Sequence, residues 1–467
     1  MSDTTSFVER TVARLRRSWR EIASRTESAL LRPELQADDA ARLRAQLRAC
    51  LDAVGGEVSA RARAAELGRS YLALDKAGRE RFLRLLAEEF SADRRAVDAA
   101  IARVQGALSE GERWAAERAL RGALEPPRVR LLTRFNALDE GVKFLVDMRA
   151  ELLGLVRGKD GGALGELEAD LKDLLAAWFD IGFLELRRIT WNAPAAVLEK
   201  LAAYEAVHAV KSWQDLKNRL DSDRRCFAFF HPNLPDEPLI FVEVALVGGM
   251  ADNVQSLLDE AAPSGDPRGA DAAIFYSISN AQRGLAGISF GAFLIKRVVE
   301  SLQAEFPNLK TFATLSPIPG FHRWLNEYLD DASLKPKEWA ALASCGMPVG
   351  AAALKHVLAD GSWIGNMRLA EALKIPIMRL CARYLMEARR PQGGTLDPVA
   401  HFHLSNGARM ERLNWLGDRS EKGLRESAGV MINYLYRLDD IEANHEAYVT
   451  QWRIASSATM HGFSKAS

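Results

Sequence analysis

The chain has 467 residues, enough for two or more domains with sizeable cores. Its 62 basic residues balance 62 acidic ones, so no global charge draws it to nucleic acid or to an anionic membrane surface. No apolar run approaches the roughly 20 residues of a membrane span, and Cys50, Cys226, Cys345 and Cys381 lie too far apart for a disulfide framework or a zinc site.

The cysteine usage fits a reducing compartment, and a cytoplasmic protein is expected. Arg10 and the arginines from Arg14 to Arg20 lie on an amphipathic pattern resembling a mitochondrial presequence. Asp3, Glu9 and Glu21 interrupt it, which favours an ordinary first helix. The ending Ser464-Lys465-Ala466-Ser467 is not the S-K-L peroxisomal address. From residue 1 to 178 the chain is rich in Ala, Leu, Arg and Glu and reads as helix almost throughout. Tyr71, Leu72 and Leu74, then Phe82, Leu85, Leu86 and Phe90, fall on repeating apolar faces. Breaks are predicted near Gly55-Gly56, at Pro126-Pro127 and from Gly158 to Gly162, and Ser91 and Ser109 stand where helix N-caps would. No fixed-period repeat is present, which favours a bundle over a solenoid. All eight histidines lie at residue 208 or beyond, so this half is assigned to packing and oligomerisation.

Composition changes after Trp178, and residues 179–467 read as a second, mixed α/β domain. Phe183 to Trp191 alternates in part, as a half-buried strand does. Helices are predicted over Ala195–Ala206 and Val210–Leu220. Cys226–Phe230 and Leu239–Val247 read as antiparallel strands. Ala272–Ser279 is a further apolar strand, followed by the glycine-rich Gln282–Gly291, a helical pattern through Leu294, Val298 and Leu302, and a short strand Phe312–Leu315. This is a βαβ-like unit whose loop opens a helix, where free N–H groups attract phosphate. The pattern is mostly helical from Trp324 to Arg390, and a final helix is predicted through Asn433–Tyr436.

Several residues of this second half carry chemical potential. Gly287-Ile288-Ser289-Phe290-Gly291 matches the G-x-S-x-G nucleophile elbow, but that motif needs its serine directly off a strand, and the strand here ends about ten residues earlier. The same loop suits close backbone approach to a pyrophosphate, or serves only as a turn. Ser316 follows a strand in Ser316-Pro317-Ile318-Pro319-Gly320, where two prolines restrict the backbone and aim the side chain. His401 and His403 flank Phe402 and, in extended geometry, point the same way. Asp397 is the nearest acid, no ligand set stands out, and no metal is expected.

Taken together, Phe275–Ser279, Gly284–Lys296, Leu315–Phe321 and Phe402–Ala408 resemble the malonyl-CoA decarboxylase family. Weaker likeness at Ile189–Trp191, Ala206–His208 and Arg224–Cys226 extends the match over most of residues 183 to 440. The resemblance implies an α+β architecture: an all-helical N-terminal bundle used in homo-oligomer assembly, then a catalytic domain similar to the GNAT-type acetyltransferases. It implies Ser316 and His403 as the catalytic pair. It also implies a coenzyme A loop at Ala286, Gly287, Ile288, Ser289, Phe290, Gly291 and Ala292, with Tyr436 near the active site. Ser289 stands where some relatives carry glutamate, so no role of that acid is carried over.

The implied activity converts malonyl-CoA to acetyl-CoA and carbon dioxide without metal or cofactor, coenzyme A entering only as part of the substrate. Protonated His403 is expected to supply the proton, and Ser316 to bind the carboxylate or relay the proton. Three alternatives remain: an acyl-CoA N-acetyltransferase on the same fold, a serine hydrolase using Ser289, Asp397 and His403, and a non-enzymatic scaffold.

Overall fold

The computed structural model describes residues 15, 19, 31–52, 56–156, 162–179, 181–288 and 294–465. The chain forms two compact units, one from Met1–Leu184 with His231–Glu237 and Gln282–Phe290, the other from Glu185–Phe230, Pro238–Ala281 and Gly291–Ser467. Apart from Leu15 and Trp19, the arginine-rich start lies outside the described residues.

The first unit is helical, with successive helices at Ala37–Asp52, Gly56–Ala73, Lys76–Glu89, Arg94–Gln105, Glu110–Leu124, Pro127–Asn136, Gly141–Val156 and Gly162–Trp178. The predicted apolar faces meet in an aromatic core. Tyr71 sets its ring edge-on to Phe82 at 5.0 Å and to Phe144 at 5.6 Å, and Trp19 meets Phe144 at 5.0 Å. Pro127 begins its helix, where a missing N–H is no loss. Ser109 caps as predicted, accepting from Glu112 N at 3.3 Å. Ser91 does not. Asp93, two residues on, takes the cap with a stronger acceptor and bonds Arg95 N at 3.0 Å.

The second unit carries a seven-stranded sheet: β1 Glu185–Ile189, β2 Arg224–Phe230, β3 Ile240–Val247, β4 Ala272–Asn280, β5 Thr311–Thr314, β6 Arg409–Asn414 and β7 Met431–Leu435, in the order β1-β2-β3-β4-β5-β7-β6. Every neighbouring pair is antiparallel except β4 and β5. The parallel pair needs a crossover, supplied by the helix Leu294–Glu305, which buries Leu294, Ile295, Val298, Val299 and Leu302. Strands β2 to β4 are buried on both faces, which is why they read as apolar runs without alternation. An all-helical N-terminal region followed by a mixed α/β sheet is the α+β architecture that the resemblance implies.

Two features of the sheet shape its centre. Opposite β3, Glu243 pairs with Ser277 and Val244 with Phe275, so Tyr276 is a bulge that bends β4. Strand β5 pairs with β4 only from Ala272 to Phe275, and β4 continues alone on that side to Asn280. The two strands part where β5 ends.

The expected helix through Asn433–Tyr436 is instead strand β7, and the chain closes with helices Ile441–Gln451 and Ala458–Lys465. The run Met431–Leu435 is too short to satisfy its own backbone as a helix. Pairing with β6 and β5 supplies the partners. Among the described residues no helix is long and apolar enough to cross a membrane.

A buried polar cluster lies on the sheet. Arg219 reaches Asp215 at 2.8 Å and Glu243 at 3.1 Å, while Glu205 accepts from Ser277 Oγ and from the N–H groups of Val207 and His208. Burial, and then Glu205, push the Glu243 carboxyl up from its ordinary 4.5 to about 8 against the pull of Arg219. The folded protein therefore holds a proton that the unfolded chain releases, and stability falls as pH rises from 4.5 towards 8. In Glu243→Gln this fall shrinks, by at most about 1.4 kcal/mol per pH unit. Urea unfolding of both proteins at pH 6 and 8.5 is the check, and identical pH slopes would refute the assignment.

Candidate active site

Ser316 is positioned by the parting of the strands. Leu315 N still donates to Phe275 O of β4 at 2.9 Å, but Ser316 exchanges both of its backbone hydrogen bonds with Ile432 of β7, at 2.8 and 3.0 Å. The two prolines then carry the chain away. Thr314 and Ser316 are two residues apart in extended chain and share a face, so Ser316 Oγ lies 2.8 Å from Thr314 Oγ1. Thr314 Oγ1 also accepts from Tyr434 N at 3.1 Å.

His403 arrives on the helix Pro398–Ser405. Its Nε2 is 3.1 Å from Ser316 Oγ and its Nδ1 is 2.8 Å from the Tyr436 hydroxyl. The ring lies flat on Tyr434 at 4.5 Å with the planes 25° apart. Tyr434 and Tyr436 also follow the period of two, so one tyrosine stacks on the imidazole and the next bonds it. The site is nearly dry: Ser316 is 5% exposed, His403 3% and Tyr436 1%. Burial pushes the His403 imidazole down to about 3 and the Tyr436 phenol well above its ordinary value. The resting ring is therefore neutral at pH 7. A neutral ring has one donor nitrogen and one acceptor nitrogen, and the hydroxyls of Ser316 and Tyr436 satisfy either tautomer.

Asp397 ties the serine turn to the histidine helix. Its Oδ1 caps that helix by accepting from Val399 N at 3.0 Å and Ala400 N at 2.9 Å. Its Oδ2 accepts from Gly320 N at 3.3 Å and from the Tyr384 hydroxyl at 3.2 Å. Both oxygens are engaged with these groups, and the position behind His403 Nδ1 is held by Tyr436. The expected common direction of His401 and His403 does not hold. On a helix, residues two apart diverge by about 200°, and His401 bonds the Tyr448 hydroxyl at 2.9 Å instead.

Of the loop residues, Ala286, Gly287 and Ile288 are described, and Ser289, Phe290, Gly291 and Ala292 lie outside the described residues. Gly287 turns the chain at φ +73°, a conformation a Cβ would strain. Among the described residues no group of three or more His, Cys, Asp and Glu side chains is placed to hold a metal ion. Sequence reasoning missed Thr314, Tyr434 and the bridging role of Asp397. The same-face rule applied to Thr314 and Ser316 would have found the first.

An all-helical region followed by a mixed sheet with one parallel pair defines a protein of the α+β class, with a buried Ser–His–Tyr chain where that pair ends. The comparisons give its family. Residues 182–466 match the malonyl-CoA decarboxylase C-terminal domain and residues 90–179 the N-terminal domain of the same family. The chain is 44% identical over 355 residues to the mitochondrial malonyl-CoA decarboxylase of Rattus norvegicus, covering 73% of this chain and 72% of that one. It is 38% identical over 418 residues to that of Anser anser anser, covering 86% and 83%. The crystal structure of malonyl-CoA decarboxylase from Rhodopseudomonas palustris superposes with a TM-score of 0.82 at 42% identity, over 91% of this chain and 99% of that one. The chain belongs to the malonyl-CoA decarboxylase family, and with it to the carboxy-lyases.

Two outcomes are expected. In protein labelled with ¹⁵N-histidine, the His403 ring nitrogens keep the neutral NMR pattern from pH 8 down to 5, and titration near 6.5 would contradict the burial argument. Asp397→Ala removes a cap and leaves buried donors unpaired, lowering the unfolding free energy by about 2–3 kcal/mol. Thermal and urea unfolding measure it.

Proposed function

We propose that this protein decarboxylates malonyl-CoA to acetyl-CoA and carbon dioxide, with Ser316 and His403 acting on the malonyl group. The observation that carries the reading is the buried hydrogen-bonded chain Thr314–Ser316–His403–Tyr436 at the end of β5. A carboxylate entering this dry space loses the hydration that holds its charge in place, which favours breaking the carbon–carbon bond. The electron pair moves onto the thioester oxygen as an enolate while carbon dioxide leaves. The thioester is the electron sink, so the step needs no cofactor or metal. The arriving carboxylate also brings the negative charge the free site lacks, which raises the His403 pKa and lets the ring take a proton from solvent. Its Nδ1–H then donates to Tyr436, and Nε2–H passes its proton through the Ser316 hydroxyl to the new methyl carbon. Ser316 hydrogen-bonds the carboxylate before cleavage and the enolate oxygen after it.

In this reading the loop from Ala286 to Ala292 takes the coenzyme A diphosphate, and residues 179–467 form the catalytic domain. The helical residues 1–178 serve assembly into a homo-oligomer. The helices Arg94–Gln105 and Glu110–Leu124 support it: each buries a single alanine, Ala100 or Ala116, while Ile101, Trp114 and Leu124 are exposed. A cytoplasmic setting rests on the four unpaired cysteines.

Acetyl-CoA formation from malonyl-CoA alone tests the activity. His403→Ala and Ser316→Ala each lower kcat by about 10²–10⁴, the scale of a lost acid–base group, with coenzyme A affinity within about threefold by calorimetry. Near-normal turnover in either variant removes that residue from the mechanism.

A further inference from the structure

We infer that Asn433 is a positioning residue for the proton relay: it breaks one rung between β5 and β7, and the break holds His403 in its Nε2–H tautomer. The inference deepens the reading of Ser316 and His403 as the pair that acts on the malonyl group, and it rests on that reading. Ala313 pairs with Leu435 and Ser316 with Ile432, a register that sets Thr314 opposite Tyr434. In an antiparallel ladder every second opposed pair exchanges both backbone bonds. Ser316 and Ile432 do so, and at the next such pair Tyr434 N would donate to Thr314 O. Instead Tyr434 N donates to the side-chain oxygen, Thr314 Oγ1, at 3.1 Å, and Thr314 O accepts from Asn433 Nδ2 at 2.7 Å. Asn433 is fully buried. Its Nδ2 also donates to Ala251 O at 3.0 Å, while its Oδ1 accepts from Arg412 Nε at 3.2 Å and Asn414 Nδ2 at 2.8 Å. Carbonyls only accept and a guanidinium only donates, so the amide has one orientation.

The break gives the hydrogen-bond chain a direction. One lone pair of Thr314 Oγ1 is held by a backbone N–H, which can only donate. The Ser316 hydroxyl donates to the same oxygen at 2.8 Å. A hydroxyl has one proton, so Ser316 Oγ meets His403 Nε2, 3.1 Å away, as an acceptor. Nε2 therefore carries the ring proton, and Nδ1 accepts from the Tyr436 hydroxyl at 2.8 Å. The two hydroxyls beside the ring allow either tautomer, and Thr314 selects between them. The selected form suits the relay, because the proton already sits on the nitrogen that faces Ser316, and a second proton need reach only Nδ1. Without Asn433, Thr314 O is free to take back the Tyr434 N–H. Thr314 Oγ1 is then released to donate to Ser316, and the direction is lost.

The test combines NMR of ¹⁵N-histidine-labelled protein with steady-state kinetics on malonyl-CoA, for wild type, Thr314→Val, Thr314→Ser, Asn433→Ala and Arg412→Met. Wild-type His403 should show its proton on Nε2. Thr314→Val keeps the shape but removes the acceptor, so Ser316 turns its hydroxyl to Nε2 and the ring proton moves to Nδ1. Asn433→Ala should show both tautomers. Each of these two variants should lower kcat by about tenfold or more, with KM within about threefold of wild type. Thr314→Ser keeps the hydroxyl and should keep the wild-type tautomer, with kcat within about threefold. Arg412→Met leaves Asn433 in place but frees its amide, so it should act in the same direction as Asn433→Ala and by less. This milder variant keeps the test open if Asn433→Ala does not fold. A wild-type ring protonated on Nδ1 overturns the inference, as does a folded Asn433→Ala or Thr314→Val protein with wild-type tautomer or wild-type kcat. Near-normal turnover in His403→Ala would instead remove the catalytic pair, and the role in the relay with it, while the tautomer read by NMR would stand.

Discussion

Two backbone hydrogen bonds between Ser316 and Ile432 decide where this enzyme can have a site. Strand β5 runs between β4, its parallel partner, and β7, its antiparallel one, with Tyr436 N bonding Phe312 O near its start. Beyond Leu315 the pairing with β4 ends while that with β7 continues through Ser316, so Ser316 stands at the point of parting. In sheets with parallel strands, ligands sit where neighbouring strands diverge, because only there do side chains from both sides face an open crevice. The prolines after Ser316 prevent β5 from continuing and closing that gap. Everything else at the site is arranged around this serine.

The second constraint is desolvation. His403 is packed between Tyr434 and the chain of hydroxyls, and burial is what drives its pKa to about 3. A neutral hydrogen-bonded interior is stable only when every polar group has a partner, and Thr314, Ser316, His403 and Tyr436 satisfy one another in sequence. Asp397 brings a carboxyl close to the same elements, yet its oxygens are occupied by three backbone N–H groups and a tyrosine. It holds the serine turn and the histidine helix together without adding charge to the ring. In the mechanism we propose, which disperses charge from a carboxylate into a thioester, a dry neutral pocket suits a proton donor that charges only when substrate arrives.

Much of the fold was legible because its signals are local. The apolar runs of β2 to β4, the crossover helix and the Pro126-Pro127 break follow from residue type and spacing alone. Ser316 stood out through its flanking prolines. What failed depends on pairing that no local window contains. Met431–Leu435 is a strand because β6 and β5 offer it hydrogen bonds, and with that missed, the alternation that puts Tyr434 and Tyr436 on one face was missed too. The helix carrying His403 was hidden by a short, aromatic sequence whose start is marked by Asp397-Pro398, a cap and first-turn pair readable in retrospect. Ser316 and His403 are 87 residues apart. Nothing in either segment announces the other, and the family resemblance supplied that link before geometry did.

Solvent labelling tests the central claim most directly. Malonyl-CoA is incubated with the protein in D₂O, without metal or acyl acceptor, and the thioester products are weighed by mass spectrometry. The account predicts acetyl-CoA carrying one deuterium in its methyl group, placed there by the Ser316–His403 relay, and no free coenzyme A. Release of malonate and free coenzyme A would contradict it, because a hydrolase breaks the thioester and leaves the carbon–carbon bond intact.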